Sequence, residues 1–175
     1  YYSFLLPSLA PCKIIHIVRN GFDAAFSMAK KGWYSDERLN ASEHLALTKV
    51  VRDEAMQNEY LVPYFVQAEE AQEFTDSSVF ARSLLAWCIL MEKNDQGVQT
   101  LKLGPQYYLE IQYETLLKAP DMVMDEICKF LNTTTTELTQ KIVKTLRSEK
   151  LTGSDSYPIQ EINPQLLRRT QNLFA

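Results

Sequence analysis

The chain has 175 residues, of which 46% are apolar, so its length and composition fit one globular domain with a substantial core. Its 18 Lys and Arg residues are outnumbered by 22 Asp and Glu residues, and no stretch collects enough basic side chains to follow a nucleic-acid backbone, so we expect no nucleic-acid partner. No apolar run approaches the ~20 residues that span a bilayer, and the first residues lack the pattern of a signal peptide, so we expect no membrane span and a cytoplasmic location.

The first predicted element is a short strand that leads directly into a helix. Residues 12–18 (CKIIHIV) form an apolar, β-branched run, which is typical of a strand buried on both faces. Arg19, Asn20 and Gly21 follow this run. Residues 22–31 then predict a helix with an acidic residue in its first turn and two lysines in its last.

The middle of the chain is predicted to be mainly helical. Residues 32–40 predict a polar and aromatic loop, and residues 42–58 predict a helix. Asp76 is a suitable N-cap for a long helix that runs to about Lys93, because its apolar residues recur at three- and four-residue spacing. Between these two helices, residues 60–74 mix aromatic and acidic side chains and give no clear pattern.

The last part of the chain alternates a strand with helices. Residues 107–113 (YYLEIQY) predict a second strand that is more exposed than the first. Helices are predicted over residues 120–131, with proline at the first position, over 134–148, and over 164–173, with a loop around 152–158. Strands that alternate with helices indicate an α/β layer fold with a parallel sheet.

The junction between the first strand and the first helix is the sharpest functional feature. In open α/β sheets, ligands gather beyond the carboxyl ends of the strands, where Arg19 falls. The free amides at a helix start favour an anion, Arg19 can add a bidentate guanidinium, and Ser27 can add a hydroxyl. The residues leave two alternatives: an oxyanion site, such as one for phosphate, or a strand-end arginine that pairs with a neighbouring carboxylate such as Asp23.

Two blocks of the sequence resemble sulfotransferases that use 3′-phosphoadenosine 5′-phosphosulfate (PAPS). KIIHIVRNGFDAAFSM is similar to the family's 3′-phosphate-binding segment, which has an apolar strand, an Arg, and a Ser eight residues after the Arg. YYLEIQYETLLKAPDMVMDEICKFLN is similar to the family's strand, Tyr-Glu-x-Leu, Pro and helix ending in Phe-Leu. The two blocks occur in the family's order and cover about a quarter of the chain.

The resemblance implies a fold, a donor and three site residues. The implied fold is a P-loop-NTPase-like three-layer α/β fold with a parallel sheet flanked by helices, in one sulfotransferase-like domain over residues 1–175. PAPS would be the co-substrate and adenosine 3′,5′-bisphosphate (PAP) the product, with no metal. The acceptor would be a small-molecule or carrier-bound hydroxyl or amine. Arg19 and Ser27 occupy the family positions that contact the 3′-phosphate, and Tyr113 occupies one close to the adenine.

The chain departs from the family pattern at its start. The family's 5′-phosphosulfate loop should precede the segment around Arg19, and no residues here supply it; a Walker-type GxxxxGK[ST] motif is also missing from the sequence. We therefore expect a domain truncated at its N-terminus, with the catalytic residues upstream of Tyr1. Two other interpretations stay open, namely another nucleotide-binding α/β protein and a non-catalytic helical interaction module.

Other chemically capable residues are expected to be structural. Glu114 is expected to hold the turn that follows it through backbone amides, and Asp23 to satisfy amides at the helix start. His16 is expected to be a satisfied core histidine and His44 a surface residue. Trp87 is expected to lie in the core.

Two further sets of residues carry expectations. The three cysteines lie among apolar residues without disulfide or zinc spacing, so we expect reduced core thiols at Cys12, Cys88 and Cys128. The aromatic residues of two loops could line an apolar acceptor pocket, although packing explains them equally well; they are Trp33, Tyr34, Tyr60, Tyr64 and Phe65.

Overall fold

The computed structural model describes residues 12–41, 47–53, 58–148 and 156–174. The chain divides into two compact units. The first unit combines Tyr1–Asn20 with Asn94–Gly153, and the second combines Gly21–Lys93 with Ser154–Ala175.

The described residues form both helices and strands. In chain order they are β1 (Ile14–Val18), α1 (Gly21–Lys30), α2 (Asp36–Leu39), β2 (Thr48–Asp53), β3 (Asn58–Pro63), α3 (Ala68–Asp76), α4 (Val79–Thr100), β4 (Tyr108–Gln112), α5 (Tyr113–Lys118), α6 (Pro120–Leu131), α7 (Glu137–Ser148), a 3-10 helix (Ile159–Glu161) and α8 (Pro164–Phe174).

The first unit is built on the parallel pair of β1 and β4. Their register runs from Ile14 opposite Tyr108 to Val18 opposite Gln112. Helices α5 and α6 pack on β4, and α7 packs on α6. The pair is therefore a parallel sheet flanked by helices, and the predicted mixed α/β class is confirmed.

The core of the first unit lies between β4 and the helices that follow it. Ile111, Leu116 and Val123 are buried together, and Ile15 and Leu146 pack against them. Burying each side chain of this size stabilises a fold by roughly 1.5–3 kcal/mol. This apolar layer fixes where β4 ends, and so it fixes the backbone from which the site residues leave the sheet.

The second unit is organised around the first part of α4, whose residues 80–89 are all buried. The prediction that Asp76 is the N-cap of the long helix α4 is wrong, because Asp76 is the last residue of α3. The Ser78 hydroxyl instead accepts a hydrogen bond from the Ala81 amide at 3.3 Å, as an N-cap does. The predicted core position of Trp87 is confirmed, because 7% of this residue is exposed.

The predicted helix over residues 42–58 is wrong. Residues 48–53 form β2, which pairs antiparallel with β3 from Thr48 opposite Pro63 to Asp53 opposite Asn58. Residues 42–46, which include His44, and residues 54–57 lie outside the described residues. β-branched side chains in TKVVRD favour a strand once a partner strand is adjacent, and this pairing outweighs the local helix propensity.

Several other elements lie near their predicted bounds, but α4 runs to Thr100, past its predicted end near Lys93, and the short helix α2 lies inside the loop predicted over residues 32–40. α6 occupies the predicted residues, and it ends at Asn132 in the left-handed conformation (φ 55°). α7 begins at Glu137 and not at the predicted Thr134. There Thr136 and Thr139 cap each other, because each hydroxyl accepts a hydrogen bond from the other residue's backbone amide.

The expectation of a doubly buried first strand is wrong. In β1, Val18 is buried, whereas Ile17 is 51% exposed. β4 also has one buried residue, Ile111. The prediction that β4 is more exposed than β1 is therefore wrong.

Candidate functional site

The parallel register brings two of the three predicted site residues together. Val18 lies opposite Gln112 at the carboxyl ends of β1 and β4. Arg19 and Tyr113 are the next residues along each chain segment, so both leave the sheet at the same edge. The Arg19 Cζ atom lies 5.4 Å from the centre of the Tyr113 ring, which is within the range of a cation–π contact.

The Arg19 side chain retains an unused donor at this edge. Its Nε atom is buried and has no hydrogen-bond partner within the part of the chain that the structure describes. A buried donor without an acceptor costs about 1–3 kcal/mol, and more when it is charged. An aromatic face thus holds the guanidinium on one side, while its buried Nε–H has no acceptor among the described residues.

Glu114 ties the two strand ends together. Its Oε1 atom accepts a hydrogen bond from the Asn20 backbone amide at 2.9 Å. The sequence predicted that Glu114 holds backbone amides of the turn that follows it; the structure shows that it holds the residue after Arg19 on the neighbouring strand. This contact fixes the spacing between the ends of β1 and β4. Nothing in the local sequence indicates it, because the two residues are 94 positions apart.

Ser27, the third predicted site residue, lies in the last turn of α1, in the second unit. Its side chain is half buried. The contact of Ser27 and Arg19 with one phosphate stays a prediction.

The start of α1 is packed closely within the second unit. A Cβ atom at Gly21 would lie 2.8 Å from Trp87 Cε3 and 3.1 Å from Thr170 Cγ2. No larger residue fits there without displacing buried neighbours, so Gly21 fixes the position of the start of α1. The Gly in the RNG sequence is the signal that could have indicated this close approach.

Tyr157 is a residue of this region that the sequence did not single out. Its hydroxyl donates a hydrogen bond to the Asp23 carboxylate in the first turn of α1. Its ring lies 5.7 Å from the Phe22 ring and 6.0 Å from the Phe26 ring. Tyr157 therefore covers one face of α1, while the preceding residues 149–155 lie outside the described chain.

His16 belongs to a separate polar cluster in the first unit. Its Nδ1 atom lies 2.8 Å from the Tyr108 hydroxyl and 3.2 Å from Glu110 Oε2, and Asn94 donates to the same hydroxyl at 2.9 Å. The expectation that His16 is satisfied is confirmed, but 23% of its side chain is exposed, so it is not a full core residue.

Three further findings concern the whole described chain. Cys88 and Cys128 are buried and Cys12 is half buried, all as free thiols. No group of three or more His, Cys, Asp or Glu side chains could hold a metal ion in the ranges that the structure covers. None of the helices in these ranges is long and apolar enough to cross a membrane.

The parallel strand pair with helices packed on it defines an α/β protein. The sequence matches the model of the sulfotransferase domain family over residues 2–165 of 175, so the chain belongs to this family. No curated protein matches the chain. No solved structure matches it either.

Proposed function

We propose that this protein transfers a sulfuryl group from PAPS to a hydroxyl or amine of its acceptor. In this proposal Arg19 and Ser27 bind the donor's 3′-phosphate, and Tyr113 lies close to its adenine. The observation that carries the proposal is the buried Arg19 Nε, which lacks an acceptor among the described residues. A phosphate oxygen is an acceptor that satisfies a guanidinium with charge-assisted hydrogen bonds.

The arrangement around Arg19 suits a fixed phosphate ligand. The Tyr113 ring restricts the guanidinium on one side. The Glu114 contact with the Asn20 amide holds the backbone from which Arg19 projects. Less side-chain freedom is then lost when a phosphate binds, and this preorganisation increases affinity.

The proposed role of these residues is to anchor the donor, not to react. In sulfuryl transfer the sulfur–oxygen bond to the donor's 5′-phosphate breaks as the acceptor oxygen or nitrogen bonds to sulfur, and a base takes the acceptor's proton. The 3′-phosphate takes no part in this exchange. Its binding positions the nucleotide, so binding energy far from the reacting sulfur contributes to the rate.

The test is a calorimetric comparison of PAP with adenosine 5′-monophosphate and ATP, on the full natural chain including any residues that precede Tyr1. PAP should bind more tightly than either, because it alone carries the 3′-phosphate. Arg19→Ala should weaken PAP binding by about 2–4 kcal/mol, or about 30- to 700-fold, and should leave the monophosphate unchanged.

A matched control is available at Arg52. This arginine is 76% exposed and pairs with the exposed Glu59, so Arg52→Ala removes the same charge without touching the site. PAP affinity should not change in this variant. Equal binding of PAP and the monophosphate by the folded wild-type chain would refute the donor site and favour a non-catalytic module, and tighter binding of ATP than PAP would favour another nucleotide-binding function.

A further inference from the structure

Two buried polar atoms at the carboxyl edge of β1 and β4 lack hydrogen-bond partners among the described residues. They are Arg19 Nε, which is a donor, and Glu114 Oε2, which is an acceptor. A third such atom, Arg82 Nε, belongs to a guanidinium whose other nitrogens donate three hydrogen bonds. Buried polar groups are normally paired, so two unpaired atoms of opposite polarity at one edge require an explanation.

One hydrogen bond connects the two residues that carry these atoms. Glu114 Oε1 accepts from the Asn20 amide at 2.9 Å, so the carboxylate is fixed beside the residue that follows Arg19. Tyr113 precedes Glu114, and its ring centre lies 5.4 Å from the Arg19 Cζ atom. Both unpaired atoms therefore belong to one unit and project from backbone that the β1–β4 register holds.

A ligand can reach both side chains. Arg19 and Glu114 are half-buried as whole residues, although Nε and Oε2 themselves are covered. The last torsion of a glutamate side chain has broad energy wells, so a small rotation costs little. Such a rotation presents Oε2 to a ligand at the edge while Oε1 keeps its hydrogen bond to the Asn20 amide.

A phosphate group satisfies only one of the two atoms. Its oxygens accept hydrogen bonds, so they pair with the Arg19 guanidinium. They do not donate to a carboxylate, and the like charges of a phosphate and Glu114 repel each other. The unpaired Glu114 oxygen therefore indicates a second ligand group, one that donates a hydrogen bond close to the phosphate.

The proposed nucleotide carries one hydroxyl in the required place. The 3′ and 5′ oxygens of PAP are esterified, so its ribose keeps a free hydroxyl only at C2′. C2′ is bonded to C3′, which carries the phosphate, and to C1′, which carries the adenine. The amino group of the adenine, in contrast, lies at the end of the base that is far from the ribose.

The order of the site residues matches the order of these groups. In the proposed site Arg19 binds the phosphate and Tyr113 lies close to the adenine. The hydrogen bond between Asn20 and Glu114 joins the residues that follow these two. The Glu114 carboxylate is thus held between the phosphate-binding and adenine-binding residues, as C2′ is held between the phosphate and the base.

We infer that Glu114 Oε2 accepts a hydrogen bond from the ribose 2′-hydroxyl, so that Glu114 selects a nucleotide with this hydroxyl free. The inference rests on the proposed function, because it adds a specificity-determining residue to the same site. A site built to hydrogen-bond a hydroxyl rejects an analogue that lacks it, because the buried acceptor is then left unpaired. A 2′-phosphate is also rejected, since it brings a second anion to the carboxylate.

One carboxylate can hold the backbone and bind the ligand together. An ionised glutamate has two oxygens with about four acceptor sites in total. Oε1 uses one of these sites for the Asn20 amide, and this contact restricts the orientation of Oε2. Less side-chain freedom is then lost when the hydroxyl binds, which increases affinity.

The test is calorimetric titration of the full natural chain with PAP, 2′-deoxy-PAP and adenosine 2′,5′-bisphosphate. PAP should bind about ten- to a hundredfold more tightly than 2′-deoxy-PAP, the factor typical of a hydrogen bond to a charged group. The 2′,5′-isomer should bind at least as weakly as 2′-deoxy-PAP. These titrations use the wild-type chain, so they test the contact independently of any effect of a substitution on folding.

Glu114→Gln separates ligand contact from support of the backbone. The amide oxygen of glutamine can still hold the Asn20 amide, but its NH2 group does not accept from the 2′-hydroxyl. The preference for PAP over 2′-deoxy-PAP should therefore shrink at least about fivefold. Glu110→Gln is the matched control, because it makes the same change on β4 at a carboxylate that contacts His16 and Tyr108. Its preference should equal that of the wild type.

Adenosine 5′-monophosphate, titrated in parallel, separates this inference from the proposed function. Equal affinity of the wild-type chain for PAP and 2′-deoxy-PAP would overturn the inference. A full preference that persists in Glu114→Gln would also overturn it, since Glu114 would then only support the backbone. In both cases, tighter binding of PAP than of the monophosphate would leave the 3′-phosphate site intact. Equal binding of PAP and the monophosphate would refute the proposed function and the inference together.

Discussion

Replacing Gly21 with alanine tests how tightly the start of α1 is packed. A Cβ atom at this position would lie 2.8 Å from Trp87 Cε3, 2.9 Å from Trp87 Cζ3 and 3.1 Å from Thr170 Cγ2. Both neighbours are held in place, since Trp87 is 7% and Thr170 1% exposed. The Thr170 hydroxyl also donates to the Leu166 carbonyl at 2.9 Å. α1 itself must therefore shift, and its N-terminal amides move with it.

The expected cost is a balance of two effects. An extra methyl group in a packed interior costs about 1–3 kcal/mol through strain. Alanine also lowers the conformational entropy of the unfolded chain, and this stabilises the folded state by about 0.4–1 kcal/mol. Gly21→Ala should therefore lower the free energy of unfolding by about 1–2 kcal/mol, and it should weaken PAP binding, because the helix start is displaced.

Urea unfolding followed by tryptophan fluorescence measures this change. Gly104→Ala is the matched control: a Cβ atom there meets the end of the flexible Gln106 side chain, so its effect should stay within about 0.5 kcal/mol. In combination with Trp87→Leu, the cost of Gly21→Ala should shrink by at least about 0.5 kcal/mol, because the two residues are in contact. A Gly21→Ala chain as stable as the wild type would refute the argument from packing.

Three other predictions follow from single contacts. Tyr113→Ala should weaken PAP binding about three- to thirtyfold in calorimetry, because it removes the ring that contacts Arg19. Tyr113→Phe keeps the ring and should change the affinity by less than about twofold. Equal losses in the two variants would show that the ring does not hold Arg19. Arg82→Met should lower the free energy of unfolding, measured in urea, by about 1–3 kcal/mol. The reason is that the carbonyls of Tyr34 and Thr75 lose the buried Arg82 donor. An unchanged midpoint of urea unfolding would contradict this prediction. Burial raises the pKa of Cys88 to about 11. At pH 8, iodoacetamide should therefore modify Cys88 only after the protein unfolds, and mass spectrometry measures the modification. Because the folded thiol holds its proton more tightly, its contribution to stability is complete below the unfolded pKa of about 9 and is lost as the pH rises through about 11. Rapid labelling of Cys88 in the native protein would contradict its burial.

Part of the fold could be predicted because its signals are local. Pro120 at a helix start and an apolar stripe behind it are sufficient to place α6 to the residue. The alternation of strands and helices was sufficient for the α/β class. The hairpin of β2 and β3 was missed because the same residues fit an amphipathic helix, and the outcome depends on a partner strand that a local pattern does not contain.

In the candidate site too, some features could be predicted from local sequence and others depend on partners that are distant in the chain. The sequence placed Arg19 and Tyr113 at strand ends, and a resemblance gave them roles. Their contact, however, depends on the parallel register of β1 with β4, which joins residues about 94 positions apart. The Glu114 hydrogen bond to Asn20 depends on that register too.

The sequence by itself determined the elements whose signals span a few residues, together with the membership of the sulfotransferase domain family that its two motifs indicated. Tertiary structure decided which side chains meet: the guanidinium against the Tyr113 ring, Gly21 against Trp87, and four aromatic loop residues around one cavity. The physical reason is that helix caps and strand propensities act between near neighbours in the chain. Burial and pairing act between residues that are distant in sequence, and their geometry exists only once the chain has folded.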